Sequence, residues 1–486
     1  MSSIVWNAHP GHRAWYRVWM WVASYLVMLG LTACTASLPI LVPDLKLRHA
    51  RPVQLEGARG PLTKAQSKAV LDRLRSRSSD TDIFTRHLAL EEAITGSPLT
   101  VGNRVQLLRD GPATYAAMLA AIAAATDHIH METYIIEDDE MGRLFSAALI
   151  AKQRQGVQVN LMHDSVGTIG TPAVFFKPLT DAGIRVLEFN PINPLLARKE
   201  WELNQRDHRK LLIVDGKIAF LGGINISSVY SGGSSTGLGS HSGSGARSSK
   251  ARAPDAGTSW RDTDMQLQGP VVAELQKLFL DAWASQKGES LEVRNWFPAP
   301  RSVGKDVVRA IGSSPEEPFS LIYATLLSAI ESAETSVLLT NAYFAPDPQL
   351  MAALKAAVAR GVQVHLILPQ HTDSQLVFHA GRSHYDELLS AGVQIYERRG
   401  RVLHSKTALI DGVWATVGST NLDWRSFLHN YEINAVVLGR EFGQQLADMF
   451  AHDLALSDQI TLEQWRRRPL GQRLQEGFAR LWEYWL

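Results

Sequence analysis

HRKLLIVD at residues 208–215 and HSKTALID at residues 404–411 carry one pattern, His-x-Lys-x-x-x-x-Asp, twice in the same chain. The agreement runs on past each motif. A Gly stands at the fourteenth position after each His (Gly222, Gly418) and an Asn at the seventeenth (Asn225, Asn421). One match to so short a pattern carries little weight; two in register over at least 18 positions mark a duplicated unit.

The duplication extends upstream. TYAAMLAAI from Thr114 is echoed by IYATLLSAI from Ile322 at a displacement of 208, GVQVNLM from Gly156 by GVQVHLI from Gly361 at 205, and AGIRVLE from Ala182 by AGVQIYE from Ala391 at 209. The displacement falls to 196 at the motifs because residues 190–205 are extra in the first half. Both halves therefore share one order of parts: helix, strand, Gly turn, strand, and a strand bearing the motif.

Between Lys and Asp, residues 211–214 and 407–410 read as buried strand, along which alternation sends His and Lys to one face. Two such faces brought together gather two imidazoles, two ammonium groups and two Asn amides around one small volume. That is a phosphate site built without a metal; no His, Cys, Asp or Glu cluster has metal-ligand spacing, and no cofactor is expected. Phosphodiester exchange needs a nucleophile, an acid for the leaving oxygen and positive charge on the non-bridging oxygens. One His would attack phosphorus and form a phosphohistidine, while the other protonates the departing alcohol and deprotonates the incoming one. Lys210, Lys406, Asn225 and Asn421 would hold the phosphate oxygens. Each imidazole needs a partner on its second nitrogen: Asp262 in WRDTD is the candidate in the first half and Glu432 in the second.

With these residues the chain resembles the phospholipase D superfamily, and within it bacterial cardiolipin synthases. The likeness rests on HRKLLIVDGKIAFLGGINIS (208–227), WRDTD (260–264), YDELLSAGVQIYE (385–397) and HSKTALIDGVWATVGSTNLDWRSFLHNYEIN (404–434), and covers roughly residues 96–457. The resemblance implies an α/β fold of two homologous phospholipase D-like lobes, each a mixed β-sheet flanked by helices, with the active site at their interface. It implies a catalytic set of His208, Lys210, Asp215, His404, Lys406 and Asp411, with His208 as nucleophile. It also implies transfer of a phosphatidyl group to the glycerol hydroxyl of phosphatidylglycerol. Phosphatidylglycerol and phosphatidylethanolamine are both compatible as donor. Water as acceptor would make the same site a hydrolase.

The halves divide as 96–294 and 319–460, with 295–318, rich in Pro, Gly and Ser, as a linker. A Gly/Ser-rich run at 231–258 cannot pack a core and separates Asn225 from Asp262. Residues 35–95 form an N-terminal extension whose stretch 64–94 reads as a charged, solvated helical layer. At 486 residues and 45% hydrophobic, the chain can bury two ordinary cores, and a net charge of +1 lowers a nucleic-acid reading. A nuclease and an inactive lipid-binding scaffold are the remaining classes; both motifs are intact, which counts against the scaffold.

Both ends point to a membrane. Arg13 and Arg17, an apolar stretch at 18–31 and then Leu31-Thr32-Ala33-Cys34 have the layout of an export signal ending in a lipobox, with Cys34 as the lipidation site. The alternative is an uncleaved anchor, since 32–42 lengthen the apolar stretch. Either reading expects anchoring to the bacterial cell membrane through the N-terminus. At 461–486, Leu470, Leu474, Phe478, Leu481, Trp482 and Trp485 recur at helical spacing among arginines, as in a basic amphipathic helix. Such a helix lies in a lipid interface or docks on the second lobe, and the sequence leaves both open.

Overall fold

The computed structural model describes residues 41–43, 52–77, 81–193, 202–232 and 259–486. The chain divides into Met1–Pro43 and Asp44–Leu486, and the architecture below is that of the second unit. The export-signal region with Cys34 and the Gly/Ser run from 233 to 258 lie outside the described residues.

The first lobe contains β1 (Leu99–Leu108), α1 (Gly111–Ala124), β2 (His128–Thr133), α2 (Glu140–Arg154), β3 (Gln158–Asp164), α3 (Ala173–Asp181), β4 (Arg185–Phe189), β5 (Lys210–Val214), β6 (Ile218–Gly222), β7 (Asp264–Gln268) and α4 (Val271–Ser285). The second contains β8 (Asp306–Ser313), α5 (Leu321–Ser332), β9 (Ser336–Thr340), α6 (Pro348–Ala359), β10 (Gln363–Pro369), α7 (Gln375–Arg382), α8 (Tyr385–Ser390), β11 (Gln394–Arg398), β12 (Thr407–Ile410), β13 (Trp414–Gly418), α9 (Trp424–Leu428), β14 (Asn430–Leu438) and α10 (Arg440–Ala455). Hydrogen bonding orders the first sheet β4-β3-β2-β5-β6-β7-β1. The second runs β11-β10-β9-β12-β13-β14-β8, strand for strand the same. β1 and β8 pair antiparallel, with Val307 opposite Val101, so the two sheets join edge to edge.

Local chemistry repeats with the topology. Asp110 caps α1 through Ala113 N–H and Ser320 caps α5 through Tyr323 N–H, each side chain satisfying a helix-end donor. Gly156 and Gly361 take φ of 87° and 90° before β3 and β10, a left-handed bend that a side chain resists, which explains the Gly at both sites. One core crosses the lobe boundary: Leu211, Ile213, Leu221 and Met265 pack with Leu409, Val417, Ile433 and Val437 between α4 and α10. The lobes are thus held together by shared apolar burial as well as by strand pairing.

Two expectations change. The stretch 295–318 is more than a linker, because it contains β8, the strand that joins the sheets; its Pro and Gly flank a short alternating run, DVVRAIGS, that their density masks. Residues 64–94 are solvated only in part. Ile83, Phe84 and Leu88 are buried, and Arg309 of β8 is buried against Glu91 (3.0 Å) and Glu92 (2.6 Å). Glu91 also accepts from Trp414 Nε1 at 3.1 Å, so this extension packs on the second lobe.

Candidate active site

β5 and β12 are mid-sheet strands whose side chains are buried throughout. Lys210 therefore sits in the interior, and its ammonium donates to the carbonyl of His208 at 2.5 Å; Lys406 donates to the carbonyl of His404 at 2.5 Å. Each His lies just before its strand, where the chain crosses to the other lobe. Residues 206–207 pair parallel with Asn430–Tyr431, and His208 N–H donates to Tyr431 O at 3.0 Å. Symmetrically, Trp260–Arg261 pair parallel with Val402–Leu403, and His404 N–H donates to Arg261 O at 2.7 Å.

This crossing decides which carboxylate orients which imidazole. His208 Nδ1 lies 3.0 and 3.1 Å from the two oxygens of Glu432, and His404 Nδ1 lies 2.6 Å from Asp262 Oδ2. Asp262 and Glu432 are thus the partners that the sequence suggests, but each serves the histidine of the opposite half. The repeat places them correctly along each half; the pairing across the boundary is tertiary and leaves no mark on spacing. Glu432 is held further by Ser419 Oγ and by Asn430 Nδ2 at 3.3 Å.

The repeated glycines Gly222 and Gly418 now have a reason. A Cβ at Gly222 would stand 2.0 Å from Asp264 Oδ1, and one at Gly418 2.0 Å from Asn434 Oδ1. At Gly223 it would stand 2.2 Å from Asp262 Oδ1 itself. Absent side chains let the carboxylate-bearing strands lie this close.

Asp215 and Asp411 depart from the expected catalytic set. They stand at the far ends of β5 and β12, about 16 Å of strand from the lysines. At Asp215 and Gly216 φ is 52° and 61°, at Asp411 and Gly412 50° and 66°. Consecutive positive φ values suit a type I′ hairpin turn, which favours Asp-Gly. Asp215 accepts from the N–H groups of Thr126, Asp127 and His128; Asp411 from those of Glu334, Thr335 and Ser336. These carboxylates close the hairpins and tie them to the start of β2 and β9.

The Asn pair is unequal. Asn225 Oδ1 accepts from Ile135 N–H at 3.0 Å and its amide donates to Tyr230 Oη at 3.0 Å, so it is largely committed to the fold. Asn421 Oδ1 is buried with no protein partner, which suits a group left for a ligand. Glu132, opposite Leu211, faces away from Lys210 and is buried 3.7 Å from Arg209, whereas Asn341 lines one cavity with Lys406 and its Oδ1 accepts from Tyr343 and Leu422 N–H.

The two motifs lie within electrostatic reach of one another, the imidazole of each feeling the lysine of the other. Burial, opposed by Glu432 and reinforced by Lys210 and Lys406, brings His208 down to about 4. Burial and Lys406, opposed by Asp262, bring His404 to about 4. Desolvation brings Lys210 to about 7 and Lys406 to about 8, with carboxylates of both lobes pulling the other way. Burial raises Glu432, but His208, Lys210 and Ser419 outweigh it and hold the carboxyl at about 2. At neutral pH the arrangement is two neutral imidazoles, each with a carboxylate at Nδ1, beside two lysines whose charge an incoming anion would secure.

Four aromatic rings wall this site, of which Trp260 opens the WRDTD motif and the other three are tyrosines outside the His-x-Lys motifs. Tyr134 meets His208 edge-on at 5.1 Å and lies 5.1 Å under Lys210 Nζ. Tyr343, Trp260 and Tyr230 lie 5.9, 4.7 and 6.0 Å from His404. Tyr134 and Tyr343 stand at the displacement of the repeat, so superposing the halves would have found them. Among the described residues no group of His, Cys, Asp and Glu is arranged to hold a metal ion.

A family model described as "Cardiolipin synthase, PLD-like domain" matches residues 118–230 and 326–454, one segment in each lobe. A cardiolipin synthase of Halalkalibacterium halodurans is 34% identical over 394 residues, spanning 81% of this chain and 74% of that protein. The major cardiolipin synthase ClsA of Bacillus subtilis is 33% identical over 386 residues, spanning 79% and 75%. In fold alone, the chain is similar to the crystal structure of phosphatidylserine synthase from Haemophilus influenzae Rd KW20, with a TM-score of 0.55, 12% identity, and coverage of 79% of this chain and 95% of that one. Two His-x-Lys-x-x-x-x-Asp lobes joined around one site, together with this identity over most of the length, place the chain in the cardiolipin synthases of the phospholipase D superfamily.

Proposed function

We propose that the chain transfers a phosphatidyl group from a phospholipid donor to the glycerol hydroxyl of phosphatidylglycerol, making cardiolipin through a phosphohistidine. The observation that carries the reading is the crossed pair of His–carboxylate contacts, His208–Glu432 and His404–Asp262, in one buried cluster with Lys210 and Lys406. A carboxylate at Nδ1 directs the proton there and leaves the Nε2 lone pair for attack.

In the first step His208 Nε2 attacks the donor phosphorus. The bond to the head-group oxygen breaks, and that alcohol leaves with the proton held on His404 Nε2. The proton reaches His404 although its free-site value is about 4, because the phosphodiester brings negative charge beside it. In the second step His404 takes the proton of the acceptor hydroxyl, the new P–O bond forms and the P–N bond breaks. Lys210, Lys406 and Asn421 hold the non-bridging oxygens throughout. Tyr134, Tyr230, Trp260 and Tyr343 limit water around the imidazoles, which favours an alcohol acceptor over hydrolysis.

Lipid substrates place the enzyme at a membrane. The basic start, apolar stretch and Cys34 of the N-terminal segment support anchoring there by a lipid or by an uncleaved span. No helix among the described residues is long and apolar enough to cross a membrane.

The test is lipid mass spectrometry after incubating the purified protein with phosphatidylglycerol, alone and with phosphatidylethanolamine. Cardiolipin with free glycerol or ethanolamine is the expected result and identifies the donor. Phosphatidic acid without cardiolipin would overturn the transferase reading in favour of hydrolysis.

A further inference from the structure

The C-terminal segment, 462–486, is folded with its amphipathicity turned outward. After a short helix, α11 (Leu462–Arg466), comes α12 (Leu470–Arg480), followed by a single turn at Glu483–Trp485. From α12 onward the residues buried are Glu476, Ala479 and Glu483. The residues exposed are Leu470 (73%), Leu474 (74%), Phe478 (61%), Leu481 (65%), Trp482 (48%) and Trp485 (68%). A terminal helix docked for stability does the reverse.

The inward carboxylates are partnered. Glu476 pairs with Arg468 at 2.7 Å and Glu483 with His384 Nε2 at 2.7 Å. Trp465 is buried beneath Arg468 and against Tyr385, and Arg425 N–H donates to Leu486 O at 3.1 Å. The segment is therefore fixed in place with its apolar stripe facing away from the protein. Arg466, Arg467, Arg473 and Arg480 are exposed beside that stripe, whereas two of the three acidic residues after Thr461 are buried. The outward face is apolar with a cationic border.

We infer that α12 and the turn after it form an interfacial docking surface for an anionic phospholipid bilayer, setting the catalytic mouth against the lipid that supplies its substrates. The bordering arginines match anionic phosphates, and Trp482 and Trp485 suit the headgroup level. Continuity with the site argues for the same occupant. α12 packs along α7, whose preceding loop carries Asp373, the acceptor at 2.5 Å of the Tyr343 phenol that faces His404. The terminal turn packs on α9, which begins three positions after Asn421. The choice of a lipid occupant rests on the phospholipid-substrate reading above.

The test uses the full chain and a local readout, because the N-terminus can hold the protein on vesicles by itself. In a Cys34→Ser background, Leu474→Cys is labelled with an environment-sensitive fluorophore and mixed with phosphatidylglycerol-containing or pure phosphatidylcholine vesicles carrying brominated acyl chains. Blue-shifted emission with quenching, stronger on the anionic vesicles, is the expected result. A probe that stays water-like on both would overturn the inference. So would a probe already shielded without vesicles in a protein of doubled mass, which would mean the stripe is a contact between copies. A Leu474→Glu/Phe478→Glu variant should lose about tenfold or more of its cardiolipin formation on vesicles while acting normally on monomeric short-chain phosphatidylglycerol; equal loss on both would assign the segment to folding and overturn the inference. Probe insertion by a protein that makes no cardiolipin would retire the transferase reading and leave the docking surface standing.

Discussion

Changing Glu432 to Gln should disable the histidine of the opposite lobe, and the size of the effect can be worked from the contacts. Both oxygens of Glu432 touch His208 Nδ1, at 3.0 and 3.1 Å, while Oε2 also accepts from Ser419 Oγ and Oε1 from Asn430 Nδ2. Gln keeps one acceptor. Ser419 and Asn430 compete for it, so the new NH2 group turns toward Nδ1, which must then accept, and the proton moves to Nε2. Loss of a charge-assisted hydrogen bond alone, about 1.5–3 kcal/mol, lowers the rate about 10- to 150-fold; the wrong tautomer raises the loss toward about 10⁴-fold. Asp262→Asn makes the matching change at His404. The assay is the burst of p-nitrophenol from a phosphatidyl p-nitrophenyl ester, whose leaving group needs no protonation. With His208 as nucleophile, Glu432→Gln abolishes the burst, while Asp262→Asn keeps it and loses turnover onto phosphatidylglycerol. A burst lost only in Asp262→Asn would make His404 the nucleophile. Burst and turnover within about threefold of the parent in both variants would refute the crossed orientation as part of the chemistry.

Two further perturbations test the electrostatics and the motif carboxylates. His404, at about 4 in the free site, must supply the leaving-group proton, and Lys210 and Lys406, brought by burial to about 7 and 8, carry their charge below those values; kcat/KM should therefore decline above about pH 5 and steepen through pH 7–8, with both limbs on kcat displaced upward by the bound phosphate. A profile that rises steadily to pH 9 would contradict this. Asp215→Ala removes an acceptor shared by three backbone N–H groups and Thr126 Oγ1 and should cost about 2–3 kcal/mol of stability, since the freed donors are partly reachable by water. Its folded-state pKa is below the ordinary value despite burial, because those hydrogen bonds outweigh desolvation. The contribution is therefore present above about pH 4 and lost as pH falls through the lowered value. Denaturation midpoints and turnover per folded molecule separate the roles: unchanged stability with turnover lost more than about 100-fold would return Asp215 to the catalytic set.

How much of the site could be read from the sequence follows the range of each interaction. Repetition made the lobes legible, because two copies of one folding unit must use the same strand order, and the matching orders of the two sheets bear this out. The His and Lys positions followed from alternation along one strand, which is local. The Asp of each motif reads as catalytic in sequence because spacing shared between copies reports common structure as readily as common chemistry; a hairpin with two positive φ values needs Asp-Gly whether or not a reaction occurs nearby. What no local pattern carries is the exchange of carboxylates, since it depends on short parallel pairings between segments 224 and 142 residues apart.

That exchange also explains why two nearly equivalent motifs need one another. If each lobe oriented its own histidine, half the chain would hold a complete His–carboxylate pair, and docking the halves would only bring two such pairs together. Here neither lobe has an oriented imidazole until the pairing at residues 206–207 with Asn430–Tyr431, and that of Trp260–Arg261 with Val402–Leu403, has formed. The proposed nucleophile, His208, therefore takes its Nδ1 partner from the other half. Lobe docking and assembly of the proposed catalytic apparatus are then one event.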